Sequence, residues 1–213
     1  MLLLVEGLLL FVPVVVLGAA VGWPASLGEP AATVLPQVAE NETALRLGYV
    51  AYLAYSALFL PVALWVTATL APDRQDSRLA RLGLAFAALS AVARCVGIVR
   101  WLTAMPDLAH DWQAGANREA IAVQYDVLNS FAGGVGELLG VSLFAAGWLF
   151  CLVKIADIPL WLKGFTAITA VALALPLVEL LGVDAGALIS VGSATVQIWF
   201  LATAVHIFRA RTA

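Results

Sequence analysis

Six apolar blocks of about twenty residues follow one another along this chain, and that succession limits its fold more than any motif does. A stretch of that length crosses the ~30 Å hydrocarbon core of a bilayer as a helix rising about 1.5 Å per residue. Composition agrees: 63% of the residues are hydrophobic, 12% are charged and the mean hydropathy is +0.98, whereas soluble domains are typically about one-quarter charged. The expected fold is all-α, a polytopic membrane protein built as one six-transmembrane-helix bundle, with helices over about 1–22, 45–71, 82–104, 119–153, 164–183 and 187–208. A formal net charge of −3 offers no basic stripe, which excludes nucleic acid as a partner. Membrane lipids and a small polar or anionic ligand are the expected partners, and exposed Gly or Ala faces leave room for a homo-oligomer.

The first block has no basic start, carries Glu6 and lacks an A-x-A site, so it reads as an uncleaved span in which Pro13 introduces a kink. Trp23 to Thr43 reads as a proline-bearing loop, with Pro24, Pro30 and Pro36 making it an ordered cap over helix ends. Tyr49, Tyr52 and Tyr55 fit an interfacial belt; the alternative is that Tyr52 and Tyr55 turn inward to polar groups. Met105 to Arg118 reads as a second polar loop, closed by Asn117 as a helix N-cap. From Arg118 to Val153 a single helix would measure about 54 Å, so either its first turns stand out of the membrane or it breaks near Gly133-Gly134. Asp184-Ala185-Gly186 is expected to turn the chain into the last span.

Orientation follows from the basic residues. Arg74, Arg78, Arg81, Lys154, Lys163, Arg209 and Arg211 fall on the side of the termini, against Arg46 and Arg118 on the other. The positive-inside rule makes both termini cytoplasmic. Glu6 is then about 8 Å from the cytoplasmic end of its helix and is expected to snorkel out, with His206 as a nearby hydrogen-bond partner.

Within the membrane, depth counted at about 1.5 Å per residue places Arg94 ~20 Å, Arg100 ~28 Å, Glu137 ~24 Å and Glu179 ~22 Å from the cytoplasmic ends of their helices. Two arginines and two acids thus share the outer half, where an ionisable group is costly unless it faces a partner or water. Tyr125, Asn129, Gly133 and Glu137 lie four apart and share a helix face, and Gln197 lies near mid-membrane. Arg94 and Arg100 point about 120° apart, so one partner does not easily serve both, and Gly97 between them admits a close backbone. Two readings of the cluster stay open. It is a helix–helix clamp, which Gly136-x-x-x-Gly140 favours, or a ligand site in which Arg94 and Arg100 meet an anion while Tyr125 and Asn129 orient it.

Enzyme signatures such as H-E-x-x-H, G-x-S-x-G or a Walker loop are absent, no cofactor is implied, and Cys95 and Cys151 lie at depths too different for a disulfide. An intramembrane lipid-modifying enzyme is the weakest reading. Tyr49-Val-Ala-Tyr52-Leu-Ala-Tyr55-Ser56, the run from Ser90 through Arg100-Trp101-Leu102, and Asn129 through Gly133-Gly134-x-Gly136-Glu137 resemble the bacterial membrane proteins grouped as domain of unknown function 4386. That resemblance implies a six-helix protein of the bacterial inner membrane and supplies no substrate. The expected function is binding or transport of a small polar or anionic molecule or lipid headgroup, with a structural or sensing subunit as the alternative.

Overall fold

A computed structural model of the chain describes residues 2–183 and 185–212. Among them, six helical segments are long and apolar enough to cross a membrane, and no strand occurs. The first span is broken at Leu10 into α1 (Leu2–Leu9) and α2 (Phe11–Val21). Pro13 is the cause: it has no amide for the Leu9 carbonyl, and its ring crowds that carbonyl. A 3-10 turn (Ala25–Gly28) leads to α3 (Ala31–Glu40), and α4 (Glu42–Leu70) is the second span. The third is α5 (Arg78–Leu102), extended by α6 (Ala104–Gln113).

The fourth span runs as α7 (Arg118–Gly133), a π-helical stretch (Gly134–Ala145) and α8 (Ala146–Ile155). It therefore does not break at Gly133-Gly134; the hydrogen-bond ladder widens there from i→i+4 to i→i+5 and the axis continues. Asn117 caps it as expected, its side chain accepting from the Ala120 amide at 3.2 Å. The fifth span is α9 (Leu160–Ala174), ending in a 3-10 turn (Leu175–Leu181) that begins one residue before Pro176, and the sixth is α10 (Gly186–Thr212). Of the expected turn into α10, Asp184 lies outside the described residues.

Each span packs on its neighbours in sequence, and α1 packs on α10, so the six spans close into a ring. Two apolar cores fill the ring at different levels. In the lower one, towards the chain ends, Phe59, Trp148 and Trp199 from three alternate spans meet edge to face. Phe59 and Trp148 lie 5.3 Å apart at 84°, Trp148 and Trp199 5.7 Å apart at 90°. Such pairs are favourable because a positive ring edge meets a negative face. Both buried indoles are satisfied: Trp148 Nε1 donates to Thr67 Oγ1 at 3.2 Å and Trp199 Nε1 to Thr166 Oγ1 at 2.8 Å.

The upper core belongs to a cap that the sequence reading took for two polar loops. Ala31, Val34, Leu35 and Val38 recur at helical spacing, which makes α3 amphipathic, and all four are buried. α3 packs against α6, and together with Tyr49, Trp101 and Tyr125 they form a second cluster over that end of the ring. Short amphipathic helices between prolines resemble loops when only charge and proline content are counted. The tyrosines of α4 turn inward and form no belt: Tyr49 stacks on Trp101 at 5.1 Å, and Tyr52 meets Trp23 and Tyr55. Glu6 does not snorkel either. It is fully buried in the ring, and the His206 ring lies against Trp161.

If the lower core depends on its indole hydrogen bonds, Thr67→Val and Thr166→Val each leave a buried N–H unpaired and lower stability by about 1–3 kcal/mol. Thermal unfolding in detergent reads this as a lowered Tm for each variant; unchanged melting in both would contradict the role given to these bonds.

Candidate functional site

Between the two cores lies a cavity of about 440 Å³. Its charged wall is α5, from which Arg94 and Arg100 project, 5% and 6% exposed. The two are separated by about 9 Å along the helix axis and point to different sides. Their surroundings differ enough to give them separate roles.

Arg100 is a fixed guanidinium. Its Nη1 donates to the Gly97 carbonyl at 3.1 Å and its Nη2 to Asn129 Oδ1 at 3.2 Å, with Glu137 Oε1 3.9 Å from the same nitrogen. Asn129 passes the contact on, its Nδ2 donating to the Leu27 carbonyl at 2.8 Å, and Tyr125 Oη donates to the Glu29 carbonyl at 3.1 Å. Leu27 and Glu29 flank the end of the cap's 3-10 turn, so these side chains strap the cap onto α5 and α7. Gly133 makes this possible, since a β-carbon there would lie 3.3 Å from Arg100 Nη2.

The shared face read from Tyr125, Asn129, Gly133 and Glu137 is therefore real. Tyr125 and Asn129, expected to orient a ligand, spend their donors on backbone carbonyls of the chain itself. A carbonyl acceptor far along the chain carries no mark in the sequence, which is why the strap was not foreseen.

Arg94 is different. Its guanidinium carbon lies 4.6 Å from the centre of the Tyr55 ring and 5.1 Å from that of Phe59. Contact of a cation with two aromatic faces offsets part of the cost of burying it. Among the described residues no carboxylate comes within ion-pair distance of Arg94, whose polar side-chain partner is the Tyr55 hydroxyl; its Nε, like that of Arg100, has no hydrogen-bond partner. The expected neutralisation of two arginines by two acids is thus reduced to one pair, Arg100 with Glu137. Glu179 is half-buried in the 3-10 turn and acts on Glu137 only as a nearby like charge. A 3-10 turn has 3.0 residues per turn, so it rotates side chains off the face that α-helical counting assigns them.

Below Arg94 sits a polar group that the sequence reading treated as peripheral. Glu6 is close enough to Arg94 to interact through space, yet neither of its carboxyl oxygens has a hydrogen-bond partner. Gln197 donates from Nε2 to the Gly7 carbonyl, leaving Oε1 unpartnered. The signal for Arg94's aromatic seat was available, since Tyr55 and Phe59 lie four apart and face one way on a helix.

Glycines bring the fourth span against this wall. At Gly97 a β-carbon would lie 2.8 Å from the Gly136 Cα, and at Gly140 one would lie 2.8 Å from Arg94 Cγ. Gly97 therefore admits a close backbone, and the Gly136-x-x-x-Gly140 seam lies in close contact with α5. The same seam leaves Arg94 no room on that side and turns its head group to the cavity, whose other polar lining includes Tyr52, Tyr55, Glu137 and Gln197.

Asn129→Ala removes one hydrogen bond to a charged donor and one to a cap carbonyl, a loss of about 2–4 kcal/mol in the strap. Hydrogen exchange over residues 23–30 should accelerate in this variant while amides around Trp148 keep their protection; equal exchange in both proteins would show that the cap is held by its apolar core alone.

No curated protein and no solved structure matches the chain. One family model does, over residues 5–208 and so nearly the whole length, and its description is Domain of unknown function (DUF4386). By that match the chain belongs to the DUF4386 family.

Proposed function

We propose that the protein binds, within this cavity, a molecule carrying an anionic or strongly polar group, with Arg94 as its charge partner. One observation carries the reading: Arg94 is almost completely buried, faces the cavity, and takes aromatic rings where a carboxylate would be expected. An ionised group at membrane depth is costly without a counter-charge or water, so an anion in the cavity would complete its coordination. The cavity's volume falls within the roughly 300–1,000 Å³ of small-molecule sites, and its lining joins apolar walls to a few convergent polar groups.

The clamp reading fits the other arginine. Arg100, bonded through both terminal nitrogens to Gly97 and Asn129 and facing Glu137, has the geometry of a structural lock, so one wall of α5 combines lock and site at different levels. Binding is favoured over transport, because passage to the opposite end would require displacing Phe59, Trp148 and Trp199 from the ring's centre. We further infer that the chain ends face the cytoplasm of a bacterial cell and the cap faces outward, from the excess of Lys and Arg on the side of the ends.

Native mass spectrometry of the purified protein tests the reading. The wild type should retain a defined adduct that Arg94→Gln holds about 10- to 100-fold more weakly, the effect of losing a charge-assisted hydrogen bond of ~1.5–3 kcal/mol. Asn129→Ala, acting on the cap, should keep the adduct. Equal retention by wild type and Arg94→Gln would sink the proposal.

A further inference from the structure

Among the described residues the cavity lacks a wall on one side, and packing explains why. α2 is drawn onto α4, where Leu17 sits so close that a β-carbon at Gly48 would lie 2.5 Å from its Cδ2. α10 is drawn onto α9, where a β-carbon at Gly192 would lie 3.0 Å from the Ala172 carbonyl oxygen. α1 packs on α10, but past the break at Leu10 the chain follows α4, and α2 and α10 have no comparable packing among the described residues. The cavity reaches this seam between Phe11 and Val14 of α2 and Ser193 and Ala194 of α10. Phe11 and Val14 are 51% and 41% exposed, as expected of residues at a rim.

Two other directions are occupied by side chains. Towards the cap, Trp23, Pro24 and Leu27 roof the cavity, and the bonds from Asn129 and Tyr125 hold that roof in place. Towards the chain ends, the ring is occupied by Phe59, Trp148 and Trp199. From Arg94 to the seam the walls are mainly apolar, with Leu10, Phe11, Leu173 and Val196 beside Ser193 and Gln197.

We infer that the seam between α2 and α10 is a lateral doorway to the bilayer, and that the occupant is a single-chain amphiphile with an anionic head, of the class of a long-chain carboxylate. Its head lies at Arg94 and its tail along the apolar walls toward the seam. A small hydrophilic anion would gain nothing from those walls. The volume, near the lower end of the range for ligand sites, suits one chain better than a two-chain lipid. This inference rests on the reading of Arg94 as the anion partner.

The test uses the full-length protein in lipid vesicles with three probes: dodecanoate, dodecanol and acetate. Dodecanoate should bind at least about tenfold more tightly than either of the others, since dodecanol lacks the charge and acetate the tail. Ala194→Trp narrows the seam and should slow dodecanoate uptake about tenfold or more, whereas Phe11→Ala widens it and should speed uptake. Arg94→Gln should weaken dodecanoate about 10- to 100-fold.

The outcomes separate the claims. Uptake unchanged in both seam variants, with Arg94→Gln still defective, overturns the doorway and leaves the anion site standing. Acetate binding as tightly as dodecanoate overturns the amphiphile and likewise keeps the site. Dodecanol matching dodecanoate, or Arg94→Gln binding like wild type, overturns both the inference and the reading beneath it.

Discussion

The architecture of the cap end depends on the two terminal nitrogens of Arg100 being engaged. A guanidinium at membrane depth needs acceptors, and it finds the Gly97 carbonyl, Asn129 and, at longer range, Glu137. Gly133 leaves room for the head group beside Asn129, whose amide nitrogen donates to the Leu27 carbonyl. One buried charge thus ties the third span, the fourth span and the cap into a unit. Close contact of Gly97 with Gly136 is the geometric condition for it, since any side chain at either position would push α5 and the fourth span apart.

With Arg100 used in this way, Arg94 stands out by contrast. The two share a helix and nearly the same burial, yet one bonds to a backbone carbonyl and Asn129 while the other lies against two ring faces with the Tyr55 hydroxyl as its polar side-chain partner. The widened π-helical turn and its glycines press on the stem of Arg94 from one side, and Tyr55 and Phe59 hold its head from another. π-helical turns are uncommon and recur at functional sites because they re-aim side chains without ending a helix. Here the turn carries Glu137 at the cavity's edge, its side chain 30% accessible, within reach of Arg100.

The six spans were legible because a run of apolar residues as long as a bilayer is thick has few other uses. The position of the charges was legible for a related reason: helical rise converts residue number to depth, and Arg94, Arg100 and Glu137 do line one cavity. What depth could not supply was azimuth and partner. Asn129 bonds to a carbonyl about a hundred residues away, and backbone carbonyls are the same in every residue type. Glu179 does lie near Glu137, but in a 3-10 turn and without an arginine partner among the described residues; Glu6 does not snorkel, because the closing contact of α1 with α10 buries it. The cap helices escaped notice because α3 is only ten residues long and interrupted by Pro36.

The central claim is a division of labour on α5, with Arg100 as the lock and Arg94 as the cation left for a ligand. A density map of the protein purified in native lipid nanodiscs tests it most directly. The account predicts an extra feature within hydrogen-bond distance of the Arg94 guanidinium, extending toward Phe11 and Ala194, with Arg100 still bonded to Asn129. A map in which Arg94 is paired with Glu6, and the cavity is closed around that pair with nothing bound, would contradict it.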